Sequence, residues 1–271
     1  MIKGLSQSDI DIVKERADEK LSFCKKTGDI IGTQIFSILK LHARVVYYPL
    51  GVNGPWGFTG IRGIQNGKER EESFVAINSS IPMDCQVFAA AHELYHIWYG
   101  HNPEILPSDL LNDAGKAIDE RKANRFAAEF LVDESLLRQE IELHHFKGIT
   151  IKNILQLADI FVVPYRTMVK RLWEIGFISE GECDHFLDET EDEIEKYRII
   201  YSLEQPKPDN RVVVDNLVEL AVEAYNSKFI TYEKLEYLLE LCNLKVIDVG
   251  ITKPEASQFP SEDELDSIMR E

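Results

Sequence analysis

What the sequence lacks narrows it first. No stretch approaches the roughly 20 apolar residues that a bilayer-crossing helix needs. The four cysteines, Cys24, Cys85, Cys183 and Cys242, lie far apart and form no CxxC pair. Neither a zinc ribbon nor a disulfide scaffold is expected, and reduced thiols fit a cytoplasmic setting. The opening segment MIKGLSQSDIDIVKERADEK has mixed charge, no apolar core and no small-residue cleavage site, so it reads as an amphipathic helix and not as a signal peptide. Positive charge is short as well: 30 Lys and Arg stand against 47 Asp and Glu, a net charge of -17. A chain so balanced has no global field to hold nucleic acid or anionic lipid, and any DNA contact must be local. Internal repeats are absent, and 44% apolar content over 271 residues suffices for one large core or two modest ones.

Apolar residues recur at helical spacing from Ser6 to about Leu41, with a break at Thr27-Gly28-Asp29, and two helices are expected there. The β-branched and aromatic runs Arg44–Tyr48 and Ser73–Asn78 read as strands of a small antiparallel sheet, separated by the turn-rich Gly51–Gly57. Pro82 and Asp84 suit the start of a helix that Gly100 stops. A second core helix is expected from about Asn112 to Val132, and further helices to about Gly176. The fold class expected is α+β, mostly helical, with the small antiparallel sheet packed on the helix of residues 85–100. The main domain is assigned to residues 1–180. Acidic residues from Asp188 to Glu195 and the Gln205–Asp209 segment suggest an acidic linker at 181–210, followed by a small helical region with an acidic tail at 211–271.

The chemistry concentrates in His92-Glu93-Leu94-Tyr95-His96. Helical residues four apart lie one above the other, so both imidazoles can reach one ion. Glu93 lies about 100° round the helix, beside that ion, where it can take a proton from metal-bound water. Zinc lowers the pKa of such water to about 7. Catalytic zinc takes three protein ligands and keeps one position open, so another element must supply the third. Glu120 and Glu129 are the rivals. They stand about 180° apart on an ideal helix and cannot face one ion. Glu120 is favoured, because Asn124 lies one turn on, where its carbonyl can accept the free N–H of a ligating histidine. Ala123, Ala127 and Ala128 let this helix approach closely.

HELYH followed by the ExxxNxFAxxFL helix resembles the ImmA/IrrE family of metallo-endopeptidases, cytosolic bacterial enzymes often encoded with the repressors they inactivate. LADIFVVPYRTMVKRLWEIGFIS is similar to the family's helix-turn-helix-like continuation. The resemblance implies one zinc ion per chain on His92, His96 and Glu120, with Glu93 as the catalytic residue. It also implies a zinc-dependent endopeptidase with a regulatory role, cutting a specific protein partner such as a helix-turn-helix repressor.

Other residues compete for roles. Tyr95, His101, His144 and His145 are candidates for oxyanion or substrate contact. Residues 149–178 read as two short helices broken at Pro164, which could meet DNA through Arg166, Lys170 and Arg171 or pack on the domain core. An extended substrate is expected to add as a strand at the 73–78 edge. The acidic C-terminal part would attract a basic partner. The alternative is a non-catalytic DNA- or protein-binding regulator, or a toxin-antitoxin or phage-defence component on the same scaffold. An intact Glu93 argues against a purely structural metal, which needs no base.

Overall fold

A computed structural model describes residues 5–62, 72–100, 114–214, 216–242 and 244–252. His101 and the acidic tail from Pro254 lie outside the described residues. Helix α1 (Gln7–Phe23) begins where Ser6 and Asp9 exchange side-chain-to-backbone hydrogen bonds, a capping box. Val13, Ala17 and Leu21 form its buried stripe. A 3-10 turn leads into α2 (Ile35–Lys40), which buries Ile35, Ile38 and Leu39.

The sheet comprises β1 (Arg44–Tyr48), β2 (Gly57–Arg62), β3 (Glu72–Asn78) and the two-residue β4 (Val213–Val214), in the order β2-β3-β1-β4. β3 pairs parallel with β1 and antiparallel with β2. The sheet is therefore mixed, which corrects the expected antiparallel one. β2 adds a second chain reversal between β1 and β3, so β3 regains the direction of β1. Glycine hides β2 from sequence reading. At Gly60 a Cβ would stand 2.4 Å from the ring of Phe74, its cross-strand partner, so an aromatic face covers the bare backbone. β3 has neighbours on both sides, and residues 73–78 offer no free edge to a substrate. Among the described residues the open edge on that side belongs to β2.

Val45, Tyr47, Val75 and Ile77 of the sheet share one core with α3 (Met83–Tyr99) and α4 (Ala114–Leu131). Pro82 caps α3 at its start and Gly100 at its end. After α5 (Glu134–Leu143), the pair α6 (Ile151–Phe161) and α7 (Tyr165–Glu174) turns at Val162, whose φ of 55° is left-handed. Both helices bury a face in the same core, and Arg171 of α7 is 1% exposed. Its guanidinium donates to the Val132 carbonyl at 2.9 Å and pairs with Glu129 and Glu174, each at 2.8 Å. Arg125 of α4 pairs with the same two carboxylates. Arg171 is thus unavailable to DNA, a correction to that candidate role, while Arg166 and Lys170 are exposed.

The expected linker at 181–210 is corrected too. It carries α8 (Glu180–Leu187) and α9 (Glu191–Ile200), with Cys183 and Phe186 in the core and Ile194 and Tyr197 packed against it. Of the acids that suggested a linker, Glu193 closes a capping box with Thr190, as Glu182 does with Ser179 at the start of α8. In the last turn of α9, Arg198 grips Asp159 and the Glu204 carbonyl, both at 2.7 Å, and beyond that helix the Asn210 N–H donates to the Ser79 carbonyl at 3.0 Å.

The chain divides into two compact units, residues 1–213 and 214–271. In the second, α10 (Leu217–Asn226) and α11 (Tyr232–Glu240) enclose Ala221, Leu235 and Leu239 with Val246. No helix among the described residues is long and apolar enough to cross a membrane.

Two predictions follow from these contacts. Arg171→Ala leaves two buried carboxylates undercompensated and should cost about 3–5 kcal/mol of stability, read by denaturant unfolding. Asp9 is held down to about 2 by Lys122 of α4, 2.8 Å away, and by Ser6. A depressed folded pKa gives stabilisation that is full above the ordinary value of 3.8 and is lost as pH falls toward about 2. NMR titration should find Asp9 near that value, and Lys122→Ala should raise it.

Candidate metal centre

α3 and α4 meet along an aromatic seam that sets their register. Tyr95 packs on Phe126 at 5.4 Å between ring centroids, and Trp98 on Phe126 and Phe130 at 5.9 and 5.7 Å. The fully buried Ala91, Ala123 and Ala127 add no bulk where the helices approach. With the seam fixed, His92 and His96 of α3 face Glu120 and Asn124 of α4.

The ligand atoms of His92, His96 and Glu120 converge within 4.8 Å of one another. His92 Nε2 lies 3.1 Å from Glu120 Oε2, His96 Nε2 lies 3.4 Å from Glu120 Oε1, and the two Nε2 atoms are 3.1 Å apart. Asn124 Oδ1 stands 3.0 Å from His92 Nδ1. Because Oδ1 only accepts, Nδ1 carries a hydrogen in either charge state, and loss of the other proton leaves the lone pair on Nε2 for the cluster. Lone pairs of two imidazoles and a carboxylate thus point at one place.

The electrostatics agree. Burial opposes protonation of His92, but Glu120, Glu93 and Asn124 outweigh it and raise its pKa. Hydrogen bonds from His92 and His96 hold the Glu120 carboxyl far below the usual carboxylate range. A site that draws protons so strongly draws a divalent cation by the same forces. Zinc bonds of about 2.0–2.1 Å at tetrahedral angles separate ligand atoms by about 3.3–3.4 Å. The observed 3.1–3.4 Å fits that spacing, and the His, His, Glu set fits a catalytic site with a fourth position open.

Glu93 is 5% exposed and lies on the sheet side of α3, where the Thr59 hydroxyl of β2 donates to its Oε2 at 2.7 Å. Sequence reading missed Thr59 and Gly57, because Gly57 and Gly60 flank Phe58-Thr59 and mask the β-former signal of that pair. Other expected residues fall elsewhere. Glu129 is held by Arg125 and Arg171 and does not compete for the ion. The Tyr95 hydroxyl accepts from Arg16 at 3.0 Å, on the α1 side, so Tyr95 is not an oxyanion donor in this arrangement. His144 caps α5 and stacks on Phe146, and His145 is exposed at left-handed φ. Neither joins the cluster. Beside it a cavity of about 950 Å³ is lined by Trp56, Phe88, Arg121, Asn124, Tyr165 and Ile194 among others.

Residues 40–172 match the model of the IrrE N-terminal-like domain of the M78 peptidases, a family of the zinc type. The matched span contains His92, Glu93, His96, Glu120 and Asn124. Among solved structures, a Mycobacterium tuberculosis transcriptional regulator is 15% identical with a TM-score of 0.37, over 62% of this chain and 47% of that one. The chain thus spans about half the length of that protein. No curated protein matches it.

Zinc stoichiometry measured on purified protein tests the donor set. One ion per chain is expected, with loss in His92→Ala and Glu120→Ala. Asn124→Ala should weaken zinc by about 10–100-fold, the usual cost of removing a group that orients a metal-binding histidine.

Proposed function

Through residues 40–172 the chain belongs to the ImmA/IrrE family, and on that premise we propose that it is a zinc-dependent endopeptidase that cuts a specific protein partner. The observation that supports this best is the convergence of His92, His96 and Glu120 at donor separations of 3.1–3.4 Å, with the Glu93 carboxylate on the next position of the same helix. In this reading His92, His96 and Glu120 hold the ion, and Asn124 fixes the His92 ring in the tautomer that frees Nε2. Zinc bound there supplies a Lewis acid that polarises the scissile carbonyl and makes water acidic enough to ionise near neutrality, at a pKa of about 7. Glu93 takes the proton from the attacking water and returns it to the leaving amine.

The substrate lies along β2 in this reading, and not along residues 73–78. An extended peptide can pair with the open edge of β2 through main-chain hydrogen bonds, and the same strand touches Glu93 through Thr59. The partner best suited to a chain of net charge -17 is basic, as a DNA-binding repressor is.

The test mixes the zinc-loaded chain with a helix-turn-helix repressor encoded beside it and follows fragments by electrophoresis and mass spectrometry. Cleavage at one or few bonds is expected. Glu93→Gln should retain zinc and lower the rate by about 10²–10⁴-fold, the range for loss of a general base. Cleavage at an undiminished rate in Glu93→Gln would remove Glu93 from the chemistry.

A further inference from the structure

The strand at the open edge also reaches into the site. Side chains alternate along a strand, so positions 57 and 59 of β2 share one face. Phe58 turns to the other face and meets Phe74 edge-on at 6.3 Å. On the α3 side, the Thr59 hydroxyl donates to Glu93 Oε2 at 2.7 Å, and the two residues are 7% and 5% exposed. Position 57 presents no side chain there. A Cβ on Gly57 would stand 3.2 Å from Glu93 Oε1 and 3.3 Å from its Cγ. The two carboxylate oxygens therefore have different surroundings: one is held by a donor, and the other faces space that glycine keeps clear.

Building on the peptidase reading, we propose that Thr59 is a positioning residue for Glu93, anchoring the carboxylate by Oε2 so that Oε1, cleared by Gly57, is the oxygen that receives the proton. The terminal torsion of a glutamate is broad and roughly two-fold, so an unanchored carboxylate would sample many orientations. A threonine is stiff at χ1, and it suits a strand. An ionised carboxylate only accepts, which commits the Thr59 hydrogen to Oε2. Once Oε1 holds a proton, Oε2 is the carbonyl oxygen of the acid and still accepts. The anchor therefore survives both states of the base, and the proton stays on the oxygen from which it must leave.

Acetohydroxamate tests this without knowledge of the substrate, because it chelates zinc and hands its hydroxyl proton to a neighbouring base. Its Kd is measured by calorimetry on the zinc-loaded full chain, as wild type, Thr59→Val, Thr59→Ser and Glu93→Gln, each with its zinc content. Thr59→Val keeps the shape and removes the donor. Up to about tenfold weaker binding is expected for it, the cost of ordering one freed side chain on binding. Thr59→Ser should restore wild-type affinity at unchanged zinc content. Wild-type affinity in Thr59→Val, or equal weakness in Thr59→Ser, would overturn the proposal. A wild-type chain that does not hold zinc would sink the metallopeptidase reading and this proposal with it. A chain that holds zinc yet cleaves nothing would sink only the peptidase reading, because the acetohydroxamate series still judges Thr59.

Discussion

The site depends on the register between α3 and α4. His92 and His96 belong together by helix geometry alone, but Glu120 reaches them through the packing of α4 on α3, where Tyr95 and Trp98 interlock with Phe126 and Phe130. Such ring pairs contribute about 0.5–1.5 kcal/mol each beyond their burial. A slip of one turn, about 5.4 Å, would carry the carboxylate away from both imidazoles. The aromatic seam therefore helps hold the carboxylate in reach of both imidazoles, although none of its rings supplies a donor atom to the cluster.

α4 is held from two further sides. Toward α1, Lys122 meets Asp9, while Arg16 of α1 donates to Tyr95 across the junction with α3. Toward α7, Arg125 and Glu129 join Arg171 and Glu174 in a buried network of two cations and two anions. Burying four charges is costly, and an apolar replacement could be as stable. What the network adds is direction, since guanidinium and carboxylate bonds allow few relative placements of the helices. Glu120 and Glu129 show how surroundings divide one helix. The first meets two imidazoles and the second two guanidiniums, so one can serve an ion and the other is spent on packing.

The legible parts of this molecule are those whose information is local. His92, Glu93 and His96 sit on one helix at fixed spacing, and Glu120 with Asn124 repeats that logic one helix later, so periodicity alone brings the right side chains to two faces. The sheet resisted because strand pairing is non-local, and because Gly57 and Gly60 are explained by Glu93 and Phe74, residues far along the chain. Missing β2 changed the parity of chain reversals and so the sense of the β1 and β3 pairing. Arg171 misled for a related reason: a cation in a helix-turn-helix-like segment reads as surface until the buried Glu129 and Glu174 are placed beside it. The acids from Asp188 to Glu195 are visible as charge, but the work of Glu193 at the start of α9 depends on Thr190, which precedes it.

On the peptidase reading, β2 joins recognition to chemistry. Its pairing with β3 is fixed, Gly57 opposite Ile77 and Thr59 opposite Val75, so a peptide added outside it inherits a register relative to Glu93. Main-chain pairing of that kind aligns almost any extended segment and carries little sequence information. Selectivity must then come from terms outside the edge itself. Net charge acts at long range and favours encounter with basic proteins over acidic ones. At contact, the cavity along α3 and α4 begins at Asn124, beside the His92 ring, and continues past Phe88 and Trp56. On the same reading, peptide side chains that reach α3 and α4 would meet those walls. On that reading selectivity rests on charge and on the cavity walls, and needs no contact between the chain and DNA.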